Sequence, residues 1–148
     1  MHYKNLFLIC LAYLIIPVLV LRAEYNSVDT KKAYIRAGPG KWYPIKWVIK
    51  EKGLPVKVLK ENGGYKNILL HDGTKGWISS NLLSTKRTVI VIENDYLLNN
   101  SRKPIASVMK NVVLDYLGCN KKKGLDLCKV KINKTKGYFK KNYLWGIN

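Results

Sequence analysis

The chain has 148 residues, enough for one ordinary domain or two very small ones. Its 27 Lys and Arg residues against 9 Asp and Glu give a formal charge of +18, which favours anionic partners. Lys supplies 23 of the 27 basic residues, whereas Arg is the residue suited to bidentate phosphate recognition. The charge therefore predicts a general attraction to anionic surfaces and argues against specific nucleic-acid binding. The alternative explanation of the positive charge is an AT-rich gene, which would encode lysine at neutral surface positions.

Residues 1–23 predict a secretory signal. Leu6 to Leu21 is an apolar run of 16 residues, shorter than the roughly 20 that span a bilayer, and Ala23 is a small residue suited to cleavage. We expect a hydrophobic signal helix, a mature chain that begins near Glu24 with a charge of +16, and a location in the periplasm or cell envelope. A permanent anchor is the alternative, and the membrane would then be contacted only through this segment.

The chain after the signal predicts short antiparallel strands, because apolar residues alternate with polar ones and each run is bounded by Gly, Pro, Asn or Asp. A polar lead-in over Glu24–Lys32 comes first. The predicted strands are Ala33–Ala37, Lys46–Ile49, Val56–Lys60, Tyr65–Leu70 and Lys75–Ile78, followed by a 3₁₀ turn over Ser79–Leu83. Asn62-Gly63 and Asp72-Gly73 predict tight turns.

This stretch resembles a bacterial SH3 (SH3b) domain of the small secreted type. The resemblance rests on the Tyr-Ile-Arg-Ala-Gly-Pro-Gly run that opens at Tyr34, on Tyr43-Pro44-Ile45, on Gly53-Leu54-Pro55-Val56, and on the close from Asp72 to Leu83. It implies an all-β SH3-like small barrel. It implies a fold more firmly than an activity, because one fold hosts many functions.

A weaker form of the pattern follows. Tyr96-Leu97-Leu98-Asn99 lies 62 residues after Tyr34-Ile35-Arg36-Ala37, and Gly137-Tyr138-Phe139 lies 61 residues after Gly76-Trp77-Ile78. A nearly constant offset is typical of a tandem repeat. We therefore predict two SH3-like barrels, at residues 28–86 and 90–148, joined rigidly by the apolar segment Val89–Ile92.

Cys119 and Cys128 are an even pair in a chain predicted to be exported, which predicts a disulfide. A metal site is disfavoured because the other soft ligand of the mature chain, His71, lies in a different repeat. His71 follows Leu70 beside the Asp72-Gly73 turn, where a solvent-exposed position is expected. The acidic residues are scattered, so the sequence predicts no catalytic residues, no cofactor and no metal.

The aromatic residues around the first loop are the candidate binding site. Trp42 and Tyr43 lie in a loop between Gly40 and Pro44, with Arg36 and Trp47 nearby, and Trp77 is expected in the core. Flat rings beside cationic groups can stack on sugars or peptide backbone and pair with carboxylates. The alternatives are that Trp42 caps the barrel and that Trp47 is structural.

The sequence thus predicts a non-enzymatic exported binding protein that holds peptidoglycan, as cell-wall peptide or glycan, through Arg36, Trp42, Tyr43 and Trp47. The second hypothesis is an adaptor that binds an extended or Pro-rich segment of another envelope or host protein. A third is binding to anionic lipid or nucleic acid by bulk charge. In the second repeat, Asn99–Pro104 has no aromatic residue, which argues against the same ligand role there.

Overall fold

The computed structural model describes residues 24–120 and 126–147, so the predicted signal segment 1–23 lies outside the described residues. The fold is all-β and consists of two antiparallel sheets of seven strands each. The first barrel is formed by β1 (Glu24–Val28), β2 (Ala33–Arg36), β3 (Ile45–Ile49), β4 (Pro55–Asn62), β5 (Tyr65–Leu69), β6 (Lys75–Ser79) and β7 (Leu83–Ser84). A 3₁₀ turn over Ser80–Leu82 precedes β7, as predicted.

The second barrel repeats this plan. It is formed by β8 (Thr88–Val91), β9 (Asp95–Leu98), β10 (Pro104–Val108), β11 (Val113–Asn120), β12 (Leu127–Ile132), β13 (Thr135–Lys140) and β14 (Leu144–Trp145), with a 3₁₀ turn over Lys141–Tyr143. The strand order is β3-β2-β6-β5-β4-β1-β7 in the first sheet and β10-β9-β13-β12-β11-β8-β14 in the second. Each strand of one sheet therefore has a counterpart at the same place in the other.

Alternation along the strands sets the two cores. In the first barrel the fully buried side chains include Ile35, Val56, Ile68 and Ile78. In the second they include Leu97, Val130 and Phe139. Each barrel therefore has an apolar cluster, and the first cluster also includes Ile90 of β8.

Two segments that the sequence assigned to connections are strands. The supposed lead-in contains β1, which pairs with β4 and β7 and buries Asn26, Ser27 and Val28. The apolar link Val89–Ile92 belongs largely to β8, which pairs with β11 and β14. The polar composition of Glu24–Lys32 concealed β1, since a polar segment gives no hydrophobic pattern. Its buried Asn26 is hydrogen-bonded by Lys66 of β5. The Lys66 Nζ donates to Asn26 Oδ1 at 3.2 Å and lies 2.6 Å from Glu61 and 3.4 Å from Glu24.

The hairpin between β4 and β5 turns one residue later than Asn62-Gly63 predicts. Asn62 pairs with Tyr65, so the loop residues are Gly63 and Gly64, both with positive φ. Two consecutive residues with positive φ are the requirement of a type I′ hairpin turn, which glycine meets without strain. The hairpin itself is present, and only its register differs.

The predicted disulfide is confirmed. Cys119 on β11 and Cys128 on β12 lie directly opposite each other in the ladder and are bonded through their Sγ atoms. Cys128 is fully buried in the second core. The bridge therefore ties two neighbouring strands of the second barrel together.

The two barrels are in contact through the end of the chain. Trp145 packs against the first core and meets Tyr25 edge-on at a ring-centroid distance of 5.3 Å. Arg87 donates from Nη2 to the Gly146 carbonyl oxygen, and its guanidinium lies over the rings of Tyr25 and Tyr116. Burial raises the pKa of the Tyr25 hydroxyl above its usual value, although the Arg87 charge opposes this. Thr88 adds a bond from Oγ1 to the Gly53 carbonyl oxygen at 2.7 Å.

Candidate functional site

The candidate site is built around the loop from residue 37 to residue 44, which joins β2 to β3 and is called the aromatic loop below. Ala37 N–H donates to the Pro44 carbonyl oxygen at 3.0 Å and closes its base. Within it, Tyr43 N–H donates to the Gly40 carbonyl oxygen at 3.3 Å. These bonds give the loop a defined conformation without regular secondary structure.

Glycine makes room for both aromatic rings. A Cβ on Gly38 would overlap the Tyr43 ring, and one on Gly40 would lie 2.5 Å from Cζ2 of Trp42. The rings thus lie against the backbone of the loop that carries them. Their centroids are 6.0 Å apart with a tilt of 37°.

Exposure separates Trp42 from a structural residue. The Trp42 side chain rests on Gly40 and is 81 % exposed, so it does not cap the barrel. Tyr43 is 38 % exposed. A large aromatic ring that remains this open has little packing function, and a ligand could stack on it.

Arg36, at the end of β2, holds the aromatic loop through hydrogen bonds to its backbone. Its Nη1 donates to the carbonyl oxygens of Lys41 at 3.0 Å and Tyr43 at 2.8 Å. Both of these bonds come from one nitrogen of a fork with five N–H donors. Arg36 therefore has a structural role in the aromatic loop and retains donors for a ligand.

A groove of about 230 Å³ runs from Arg36 across the neighbouring strands. We call it the Tyr34 groove, and its lining residues are Tyr34, Arg36, Lys41, Tyr65, Ser79, Asn81 and Leu82. Two tyrosine rings, two cations and two small polar side chains line it, and no carboxylate of the described residues does. The Lys32 ammonium lies 5.2 Å from the centre of the Tyr34 ring and adds positive charge at the rim.

Trp47 lies away from this groove. It pairs with Ile35 across the β2–β3 ladder, whereas Tyr34 pairs with Val48. Because directly opposed side chains project from the same face, Trp47 shares the face of Ile35, and Tyr34 lies on the other face. Of the four predicted residues, the structure brings Arg36, Trp42 and Tyr43 together and places Trp47, 56 % exposed, on the edge strand β3.

Sequence reasoning did not single out Tyr34, Tyr65, Ser79 or Asn81 as lining residues. A signal for Tyr34 was present, because it alternates with Ala33 and Ile35, both fully buried, and must face outward. Tyr65 and Ser79 are opposite each other in the β5–β6 ladder. That juxtaposition depends on sheet register, which spacing in the sequence does not reveal.

Trp77 is buried, as predicted, at 9 % exposure. Its strand register pairs it with Arg36 and Asn67, so it lies on the outer face, and the Lys60 ammonium lies 5.3 Å from its ring centre. It is not part of the apolar cluster that contains Ile78. Trp77 is thus buried as predicted, but on the outer face of the sheet and outside the apolar cluster.

The second barrel has a different surface at the equivalent place. Leu98 takes the position of Arg36, since each is the last residue of its strand and pairs with β13 or β6. Asn99 then closes a compact turn by accepting bonds at Oδ1 from the N–H groups of Ser101 and Lys103, both at 2.9 Å. Leu98 therefore supplies no guanidinium at the Arg36 position, and the turn over Asn99–Pro104 contains no aromatic residue.

His71 is half-buried, so the expectation of an exposed position was wrong. Its ring lies 6.3 Å from that of Trp145, and its Nδ1 is buried without a hydrogen-bond partner among the described residues. Within residues 24–120 and 126–147, no group of three or more His, Cys, Asp or Glu side chains is arranged to hold a metal ion. The same ranges contain no helix with the length and apolar character needed to cross a membrane.

Comparison with known proteins identifies the first barrel. Residues 29–85 match the family model described as bacterial SH3 domain. That match does not extend to the second barrel, so the second copy of this family at residues 90–148 stays a prediction, as do the domain limits 28–86. No curated protein matches the chain.

Several solved structures show a low similarity to this chain. NlpC2 from Trichomonas vaginalis is 12 % identical with a TM-score of 0.39, over 83 % of this chain and 48 % of that protein. An NlpC/P60 family protein from Bacillus cereus is 16 % identical with a TM-score of 0.38, over 82 % and 55 %. NlpC1 from Trichomonas vaginalis is 11 % identical with a TM-score of 0.35, over 82 % and 45 %. This chain spans about half the length of the proteins it resembles.

Proposed function

We propose that this chain, whose residues 29–85 form a bacterial SH3 domain, is a non-enzymatic exported protein that binds cell-wall peptidoglycan through the Tyr34 groove and the aromatic loop. The observation that carries the proposal is the composition of the groove. Arg36 and Lys41 meet Tyr34 and Tyr65 in one concave surface without a lining carboxylate. Wall peptide and glycan present carboxylates, amides and sugar rings, which are the groups that such a surface can bind.

The roles follow from the geometry. Arg36 would donate to a ligand carboxylate with the N–H groups that the loop leaves free, and Lys41 would add a point charge. Tyr34 and Tyr65 would flank an extended chain in the groove, and Trp42 would stack on it from the loop. The proposal retains Trp47 as a contact only for a ligand that reaches around the edge of β3.

A pull-down with purified sacculi, stripped of accessory anionic polymers, tests this function. Tyr34→Ala is expected to reduce the affinity for sacculi about tenfold, since stacking of an aromatic ring contributes about 1–1.5 kcal/mol. Tyr96→Ala is the matched control because Tyr96 occupies the same strand position in the second barrel and is also exposed. It is expected to bind like the parent.

The double variant Trp42→Ala with Tyr43→Ala tests the aromatic loop separately, with a weaker hold on sacculi expected. Circular dichroism and melting temperature would show that both variants are folded. Sacculi that fail to retain the parent at low salt, or that retain Tyr34→Ala and the double loop variant as well as the parent, would exclude the proposal.

One observation favours an adaptor as the second candidate. β3 is an edge strand of the first sheet, and its Ile45, Trp47 and Val48 are each more than two-fifths exposed. An open strand edge with apolar side chains can receive an extended segment of another protein. In-cell cross-linking distinguishes the two functions, because an adaptor gives one defined protein adduct that Val48→Pro abolishes.

A further inference from the structure

The outer face of β12 and β13 in the second barrel carries an unusual arrangement of charge. Lys131 pairs directly with Lys136 across the ladder, and Lys129 pairs with Tyr138. Cys128 and Val130 between them are fully buried, so the lysines project outward. We call the surface formed by Lys129, Lys131, Lys136 and Tyr138 the lysine face.

The first barrel provides an internal comparison. Its β5–β6 ladder pairs Asn67 with Trp77 and Leu69 with Lys75. The same fold thus holds one lysine at these positions in the first barrel and three in the second. The surplus positive charge is therefore a property of this face and not of the fold.

The positive charge of this face is poorly neutralised within the protein. Among the described residues, the lysines that form ion pairs are Lys52, Lys66, Lys86 and Lys140. Asp115 lies opposite Lys131 in the β11–β12 ladder, but its carboxylate is 2.7 Å from Lys86. Like charges directly opposite each other destabilise a sheet, and Lys131 and Lys136 are in that position.

The geometry points to a linear anionic polysaccharide as the partner of the lysine face. Successive outward residues on a strand are about 6.7 Å apart, and opposed residues about 5 Å apart, so the three ammonium groups form a compact array for several carboxylates. Tyr138 lies within the array and offers a ring on which a sugar can stack. Lysine, a mobile point charge, suits a polymer whose charges have no fixed bidentate geometry.

Two other polyanions fit less well. The aromatic residue of the face is a half-buried Tyr138, whereas segments that lie in a bilayer surface expose Trp, Phe or Leu for insertion. The face contains no arginine, the residue that dominates phosphate recognition in nucleic acids. The inference does not depend on the proposed groove, which lies in the other barrel.

Binding of the protein, expressed from its full sequence, to polygalacturonate tests the inference, with neutral dextran as the reference polymer. The parent is expected to bind polygalacturonate, and to bind more weakly as salt rises. The triple variant K129Q/K131Q/K136Q is expected to lose about tenfold in affinity, from the loss of three charge contacts at the surface. The control K31Q/K50Q/K110Q removes the same charge from exposed lysines elsewhere and is expected to change affinity less than about threefold.

Several results would overturn the inference. Equal losses in the two triple variants would mean attraction by net charge alone. Tighter binding to phosphatidylglycerol vesicles or to oligothymidylate than to polygalacturonate would identify a different partner, and no binding to polygalacturonate would remove the role. Tyr34→Ala is expected to leave this binding unchanged, which separates it from the groove. The lysine-face variant should melt no lower than the parent, because it relieves the repulsion between Lys131 and Lys136.

Discussion

Gly76→Ala is the substitution for which the first barrel predicts the clearest loss. Gly76 is buried on β6, and an added Cβ would overlap Cγ2 of Ile35 and lie 3.0 Å from the Arg36 carbonyl oxygen. Gly76 is not among the residues with positive φ, so alanine fits the backbone there. Any loss of stability must therefore come from overpacking.

The magnitude follows from two opposed terms. Replacing Gly by Ala in a strand favours folding by about 0.5–1 kcal/mol through the unfolded chain, whereas an extra methyl in a packed core costs about 1–3 kcal/mol. Ile35 is fully buried and cannot move aside. We expect a net loss near 1–2 kcal/mol, or a fall of about 5–15 °C in melting temperature for a small domain.

Gly137→Ala in the second barrel should cost more. Its Cβ would lie 2.5 Å from Cγ of Leu97 and 2.7 Å from the Leu98 carbonyl oxygen. The backbone at Leu98 cannot yield without disturbing its pairing with Tyr138. The order of destabilisation, Gly137→Ala above Gly76→Ala, is thus a second readout of the same reasoning.

Urea unfolding followed by tryptophan fluorescence and circular dichroism measures these losses. A double-mutant cycle with Ile35→Ala, which removes the overlapping Cγ2, gives the control: the two substitutions together should cost about 1 kcal/mol less than the sum of their separate costs. Strict additivity, or a Gly76→Ala protein as stable as the parent, would refute the packing argument.

Three further predictions concern stability. Asp72→Ala removes the bond that Oδ1 accepts from the Thr74 N–H, 2.9 Å long, at an expected cost of about 1 kcal/mol at neutral pH. That bond lowers the pKa of Asp72, despite an opposing effect of burial. The stability that Asp72 contributes is therefore present above pH ~4 and is lost as pH falls through the lowered pKa. The melting temperatures of parent and variant should converge in acid, and a constant difference between them would contradict this. Trp145→Ala removes the aromatic contact between barrels and should split one calorimetric transition into two, whereas a single transition at the parental temperature would show that the contact contributes little. Cys119→Ser with Cys128→Ser opens a loop closed across a separation of 9 residues and should cost about 2.5 kcal/mol, measured against the parent with and without reductant.

Strand positions were accessible from the sequence where apolar and polar residues alternate. Lys75–Ile78 was predicted and β6 is Lys75–Ser79, because Gly76 and Ile78 face the core in turn. β1 was missed since its buried residues include the polar Asn26 and Ser27, and Asn26 accepts a bond from Lys66, which is distant in sequence. Alternation of apolar residues does not predict a strand that buries polar groups.

The candidate site was predictable only in its loop. Trp42 and Tyr43 could be predicted as candidates because large rings in a loop between glycine and proline have no obvious packing partner. The groove beside them requires Tyr65 and Asn81, which reach Tyr34 only through the order β2-β6-β5 and the turn after β6. Trp47 was grouped with Arg36 because the two are near each other in the chain. Side chains alternate between the two faces of a strand, and Trp47 pairs with Ile35 before the bulge, so it lies on the face opposite to Arg36.

The two barrels differ in a way that packing explains. At several inward positions they hold residues of similar kind, with Gly76 and Gly137 facing Ile35 and Leu97, although Cys128 takes the place of Lys66. At outward positions they diverge, since Arg36 is matched by Leu98 and Leu69 by Lys131. The core tolerates few alternatives at native density, whereas exposed faces are constrained mainly by what they contact. Under the two proposals made above, these outward differences give the barrels separate binding surfaces, an aromatic and cationic groove in the first and the lysine face in the second. Exchange of these residues between barrels, with the cores unchanged, should transfer binding without altering the fold.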